Sequence, residues 1–275
     1  MSVLRQAVRI VTRLAGLAAF AWVVLVGAVL IGREGLIYPL SQGFDVTQVS
    51  GLPRGRLATL AAADGTPVHA WVAPPVEGRP VILHFTGNAG FTPGAAIRMA
   101  PFVIRGYGLA ILNYRGAGGA PGAPGEAAII ADALALYDAL EGLMGPMAVP
   151  PVIHGTSLGA AVAVRVAAAR PASAVVLALP FAEVCTVAEH HYPWLPACLL
   201  AWDDRWESVR HAPAIRAPVL VTAAGRDRVI PRGEARRLFD TLNAEKRFVF
   251  MPDAGHDGGR AGTEAALDWV ARHAG

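Results

Sequence analysis

Charge is scarce in this chain. Only 16% of its 275 residues are Asp, Glu, Lys or Arg, while 54% are apolar. A soluble domain carries about a quarter charged residues, so the composition directs attention to a membrane segment. Cysteine is scarcer still. Cys185 and Cys198 stand alone, without CxxC spacing, which argues against a thiolate metal centre and against a disulfide-dense scaffold. One disulfide in an oxidising compartment and two buried thiols both fit the pair. Internal repeats, runs of like charge and a basic stripe are also missing. The net charge is +3; Arg5, Arg9 and Arg13 account for all of it, so residues 14–275 are neutral. The pI of 9.2 therefore does not mark a nucleic-acid partner, because no basic surface is left to neutralise phosphates.

The apolar excess is concentrated at the start. Leu14 to Gly32 is an uncharged run of 19 residues, long enough to cross a hydrocarbon core as a helix. Three arginines precede it, and Glu34 is the first acid. The positive-inside rule then puts the N-terminus in the cytoplasm and the rest of the chain on the far side. A cleaved signal peptide is the competing reading, but its apolar region is usually shorter and "GAVLIGREG" is a poor cleavage site. The expected organisation is a membrane anchor over 1–35 and one domain over 36–275, large enough to bury its own core.

Within that domain, strand-like and helix-like runs alternate. A hairpin is predicted for Arg56–Ala63 and Val68–Ala73 around Asp64-Gly65. Further strands are predicted at Val81–Phe85, Gly108–Asn113, Val152–His154, Val175–Leu179, Val219–Ala223 and Arg247–Met251. Helices are predicted at Pro93–Ile104, Glu126–Leu143, Leu158–Arg170, Arg232–Leu242 and Thr263–His273. Short apolar strands alternating with helices indicate an α/β class with a mainly parallel sheet covered on both faces. Residues 182–213, rich in Trp, Pro and His, interrupt the rhythm and are read as a small helical lid. Trp194, Leu195, Leu199, Leu200 and Trp202 would suit an acyl chain there, or plain packing of the lid on the body.

The chemistry is concentrated at Gly155-Thr156-Ser157-Leu158-Gly159, where an apolar strand runs into a helix. A serine on a sharp strand-to-helix turn needs small residues on both sides, because the flanking backbones approach where a Cβ would sit. The turn exposes the hydroxyl and aims a helix N-terminus at it. The alternative is a serine that merely caps its helix. A nucleophilic serine needs a base, and the base needs an orienting carboxylate, following in the chain order Ser, Asp, His. Asp227 lies just past the strand at 219 and His256 just past the last strand. Both therefore fall at the sheet edge that carries Ser157, where open α/β sheets build their sites. Other acids fit less well: Asp203 and Asp204 sit in the lid segment as solvated or capping groups, and Asp253 and Asp257 are too close in sequence to His256. Among histidines, His69, His84 and His154 read as packed strand residues, His190, His191 and His211 belong to the lid, and His273 is terminal. The backbone N–H groups of Leu158 and of Asn88, in the turn "TGNAG", are the candidate oxyanion donors; an ordinary tight turn would use the same residues.

"LHFTGNAG", "LNYRGAGGAPGAPGE", "HGTSLGAAVA", "AAGRDRVIP" and "DAGHD" occur in this order, and the chain from about residue 50 resembles the α/β-hydrolases. The closest likeness is to membrane-anchored serine hydrolases of the α/β-hydrolase-domain and serine-aminopeptidase-like type. The resemblance implies the α/β-hydrolase fold, Ser157 as nucleophile, His256 as base, Asp227 as acid, and donors at Asn88 and Leu158. Thr86 stands where that family usually has histidine, and "AGGAPG" where it usually has a serine among glycines. The expected activity is hydrolysis of an ester, thioester or related acyl bond on a small-molecule or lipid substrate, without cofactor or metal. Peptidase or acyltransferase activity on the same residues, and a catalytically silent tethered binding module, are the alternatives. Oligomeric state has no signature in the sequence.

Overall fold

The computed structural model describes residues 2–40, 54–200 and 203–274. Two predicted features fall partly or wholly outside these residues: much of the segment joining the apolar helix to the first strand, and Trp202. The described chain forms two compact units, residues 1–39 and 40–275.

The first unit is a single helix, α1 (Ser2–Ile37), longer than the predicted apolar run because the flanking Arg-bearing turns are helical as well. Within Leu4–Ile37 its most apolar stretch reaches a mean hydropathy of 2.6, and the helix has the length to cross a membrane. An N-terminal signal sequence shares those properties.

The second unit is built on an eight-stranded sheet in the order β1-β2-β4-β3-β5-β6-β7-β8. The strands are β1 (Arg56–Ala61), β2 (Pro67–Ala73), β3 (Val81–Phe85), β4 (Gly108–Leu112), β5 (Val152–Thr156), β6 (Val175–Ala178), β7 (Val219–Ala224) and β8 (Lys246–Met251). Pairing is antiparallel for β1–β2 and β2–β4 and parallel everywhere else. The central strands β3 and β4 are buried along their whole length, which is why they read as continuous apolar runs rather than alternating ones.

Helices cover both faces. Helices α2 (Pro93–Ile104) and α8 (Gly259–His273) lie over one face, where Met99, Phe102, Trp269 and Val270 share a core with Ile82, Val152, Val176 and Leu220 of the strands. Helices α3 (Glu126–Met144), α4 (Leu158–Ala169) and α7 (Arg232–Thr241) lie over the other. Element boundaries agree with the sequence expectation to within a few residues. The largest difference is α8, which begins four residues earlier than predicted, at Gly259; two glycines at positive φ, Gly258 and Gly259, masked its start.

The chain enters β3, crosses to β4 on one side, and returns to β5 on the other. The loops after β3 and β5 therefore diverge at the C-terminal edge of adjacent strands, which is where ligands bind in open α/β sheets. Between β6 and β7, the irregular stretch holds α5 (Val184–His191), α6 (Ser208–His211) and two 3-10 turns, at Ala197–Leu199 and Ala212–Ala214. Cys185 on α5 and Cys198 in the first 3-10 turn are joined as a disulfide. Leu195 is buried, as packing on the body requires, whereas Trp194 is 39% and Leu199 is 87% exposed.

Candidate active site

Ser157 sits between β5 and α4 with φ 54° and ψ −119°. A non-glycine residue at positive φ is strained, and such strain persists only where the surroundings fix it. Here the Ser157 amide donates to the Ala178 carbonyl of β6 at 2.9 Å. Leu179, the residue after that carbonyl, also has a positive φ of 53°, so two strained residues face each other across the turn. The Ser157 side chain makes no capping bond to α4, which removes the helix-cap reading. A Cβ on Gly155 would collide with the backbone of Gly159, and a Cβ on Gly159 with the backbone of Phe85 and Thr86. The two glycines thus hold β5, α4 and the end of β3 in backbone contact.

The structure brings the three predicted side chains together. The Ser157 hydroxyl lies 3.1 Å from His256 Nε2, and His256 Nδ1 lies 2.8 Å from Asp227 Oδ2. The other oxygen, Asp227 Oδ1, accepts the backbone N–H groups of Val229 and Ile230 at 2.8 and 2.9 Å. Burial pushes the Asp227 carboxyl upward, but its hydrogen bonds from His256, Ile230 and Val229 outweigh that and hold it below the usual range. It is therefore ionised at neutral pH and its two oxygens have separate partners. The loops carrying Asp227 and His256 are laced together: the Gly225 amide donates to the Met251 carbonyl at 2.8 Å and the Arg226 amide to the Ala254 carbonyl at 2.9 Å. A Cβ at Gly225 would meet the Pro252 carbonyl, so this lacing also depends on a glycine. The arrangement can draw a proton from the serine hydroxyl into the imidazole while the carboxylate stabilises the charge that results.

Asn88 lies in a tight turn closed by the Gly90 amide on the Gly87 carbonyl at 3.0 Å. The turn reading and the donor reading of these residues are therefore compatible. Among the described residues, neither the Asn88 nor the Leu158 backbone N–H is spent on another backbone group. Gly87, Asn88 and Ser157 line one cavity of about 370 Å³ that also reaches His256.

The competing residues have other roles. Asp204 Oδ1 accepts the Glu126 amide at 2.6 Å and so supplies the missing cap of α3, whose own cap residue is Gly125. Asp253 pairs with Arg226 at 2.6 Å, and Asp257 accepts the Gly259 amide at 3.2 Å. His69 meets Thr59 across the hairpin, His191 meets the Val229 carbonyl, and His273 packs on Trp269. His84 and His154 are buried against each other, Nδ1 to Nδ1 at 3.0 Å.

Several supports were not visible in the sequence. The Tyr114 hydroxyl donates to the Thr86 carbonyl at 2.7 Å and fixes the entry to the Asn88 turn. The Asn113 side chain donates to the Tyr114 and Ala117 carbonyls, which braces that tyrosine. Glu234 of α7 is buried and accepts the Ala182 amide and the Thr186 hydroxyl, pinning the start of the stretch after β6. The only sequence signal for Tyr114 was its place in "NYRG", directly after a strand.

The buried histidine pair makes a stability prediction. Burial pushes His154 down from 6.5 to about 4. His84 is also pushed well down, by burial first and then by the charges of His154 and Arg98. A histidine depressed on folding favours the folded state above its unfolded value and withdraws that support as pH falls towards its folded value. Urea unfolding at successive pH values should therefore show stability declining between pH 6.5 and 4, with His154 contributing about 3 kcal/mol of the decline. The His154→Leu variant should have a correspondingly flatter acid limb.

No family model matches the chain. An uncharacterised protein of Mycobacterium tuberculosis is 38% identical over 230 residues, covering 82% of this chain and 80% of its own. The lysophosphatidylserine lipase ABHD12 of Danio rerio is 33% identical over 187 residues, covering 61% of this chain and 48% of its own. The α/β-hydrolase domain-containing protein WAV2 of Arabidopsis thaliana is 29% identical, covering 72% and 70%. Among solved structures, a Mycobacterium tuberculosis puromycin-hydrolysing peptidase superposes with a TM-score of 0.66 at 22% identity, over 81% of this chain and 40% of the peptidase. An esterase of Pyrococcus furiosus gives 0.66 at 15% identity, over 84% of this chain and 100% of the esterase. At these identities the likeness to solved structures is one of fold. The chain spans about half of the Danio protein and less than half of the peptidase.

Proposed function

We propose that this chain, which has the fold of the α/β-hydrolases and resembles members of that superfamily in sequence, is a serine hydrolase that cleaves an ester or related acyl bond through an acyl-enzyme on Ser157. The observation that carries this reading is the unbroken hydrogen-bonded line from the Ser157 hydroxyl through His256 to Asp227. In this mechanism Ser157 Oγ attacks the acyl carbonyl while its proton passes to His256 Nε2. The carbonyl electrons move to oxygen, and the N–H groups of Asn88 and Leu158 stabilise that charge. Collapse of the intermediate expels the leaving group, which takes the proton from His256 and leaves the acyl group on serine. Water, deprotonated by His256, then repeats the sequence and frees the acid. Asp227 holds the imidazole with Nε2 towards the serine and stabilises its charged form. None of these steps calls on a cofactor or a metal.

We further propose that α1 is an uncleaved membrane anchor, with the N-terminus cytoplasmic and the hydrolase domain on the far side, and that residues 182–213 act as a lid over the site. The arginines at 5, 9 and 13 support the orientation. The Cys185–Cys198 disulfide supports an oxidising compartment for the domain.

The test is covalent labelling with a fluorophosphonate probe. The wild-type protein should label, the Ser157→Ala variant should not, and a labelled Ser157→Ala variant overturns the reading. Orientation is checked separately, by protease accessibility of the C-terminal domain in intact and opened cells.

A further inference from the structure

The cavity beside Ser157 has a floor whose polarity the proposed reaction does not explain. On β3, β5 and β7, the side chains directed at α2 and α8 begin as Ile82, Val152 and Leu220, all part of the apolar core. Two residues further along each strand, on the same face, they become His84, His154 and Thr222, and all three line the cavity. His84 and His154 lie at one level, as direct register partners, and Thr222 lies two residues nearer the C-terminal edge, level with Thr156 beside the nucleophile turn. These polar residues are deeply buried, at 4%, 6% and 1% exposure. Among the described residues the Thr222 hydroxyl has no hydrogen-bond partner, a costly state for a buried polar atom in a finished core.

The histidine pair has a fixed hydrogen-bonding output. Both rings are held neutral at ordinary pH, because burial pushes their protonation well below it. Two neutral imidazoles joined through Nδ1 must share one proton there, so one ring carries Nδ1–H and the other accepts it. The first ring then has a bare Nε2, and the second has an Nε2–H. Whichever way the shared proton lies, the pair offers one acceptor and one donor, and neither Nε2 has a hydrogen-bond partner among the described residues.

We propose that this cavity is a substrate subsite for a hydroxyl-bearing group, one that both donates and accepts, read by His84, His154 and Thr222. This rests on the serine-hydrolase reading. A hydroxyl suits either outer ring nitrogen, accepting from the Nε2–H or donating to the bare Nε2, whereas an alkyl chain of the same size displaces water and leaves buried polar atoms bare. Phe102, edge-on to His154 at 6.1 Å, and Met99 supply the apolar wall that orients such a group.

The experiment compares two isosteric pairs, one on each side of the scissile bond. On the acyl side, p-nitrophenyl 3-hydroxybutanoate is set against the 3-methylbutanoate. On the alcohol side, 1-glyceryl butanoate is set against 2-methylbutyl butanoate. The hydroxyl-bearing member of at least one pair should have the higher kcat/KM, by about tenfold or more. That ratio should fall below one in the His84→Leu/His154→Leu double variant and several-fold in Thr222→Val, which is isosteric and keeps the fold if the double variant does not. Fluorophosphonate labelling is measured on every protein. Labelled wild-type enzyme that favours the alkyl member of both pairs overturns the subsite alone. A ratio unmoved in a labelled double variant or in labelled Thr222→Val does the same. Wild-type protein that does not label overturns the hydrolase reading and the subsite with it.

Discussion

Asp227→Asn should lower kcat by about 10⁴-fold while leaving the protein folded. The size of the loss follows from how the two carboxylate oxygens are used. Oδ1 accepts two backbone N–H groups, from Val229 and Ile230. An asparagine must therefore keep its carbonyl oxygen at that position, and its NH₂ group lands where Oδ2 now faces His256 Nδ1. An NH₂ group can only donate, so it selects the imidazole tautomer with a bare Nδ1. The hydrogen then sits on Nε2, pointed at the Ser157 hydroxyl, and the ring cannot accept the serine proton. The backbone bonds that keep the variant folded are the ones that enforce the wrong tautomer. The check is steady-state kinetics beside circular dichroism. A loss below about tenfold with intact structure would remove Asp227 from the proposed machinery.

Gly159→Ala should be the most damaging small substitution in the domain. Its Cβ would enter the space of the Phe85 and Thr86 backbone. No side-chain rotation relieves a clash between a Cβ and the main chain of a central strand, so α4 must separate from β3. Overpacking of ordinary cores costs about 1–3 kcal/mol, and this contact lies at or beyond the top of that range. Gly155→Ala should behave in the same way, against the Gly159 backbone. Gly142→Ala is the control. Gly142 lies inside α3 with nothing within 4 Å of the added methyl, and this exchange should stabilise by about 0.5–1 kcal/mol. Thermal unfolding of the purified variants separates the cases, and an unchanged Tm for Gly159→Ala would contradict the packing described.

These glycines also show what was legible beforehand. The spacing around Ser157 is local, and so is the placement of Asp227 and His256 a few residues past their strands. Periodicity located the strands, and chain order then picked out the three side chains that the structure brings together. What could not be read were partners far apart in sequence. Tyr114 reaches the Thr86 carbonyl and Asp204 caps α3 across 78 positions, yet each is an ordinary residue in its own neighbourhood. His84 and His154 were read as packing residues, and they are packed. Their pairing depends on β3 and β5 being neighbours in register, which no single strand discloses.

The disulfide between Cys185 and Cys198 turns the middle of the proposed lid into a covalent ring. Peptide bonds inside a ring can be cut without separating the pieces. A protease that reaches the exposed surface around Tyr192, Trp194 or Leu199 would leave a nicked chain of unchanged apparent mass. The two fragments, one ending and the other beginning within residues 186–197, would separate on a denaturing gel only after a reducing agent was added.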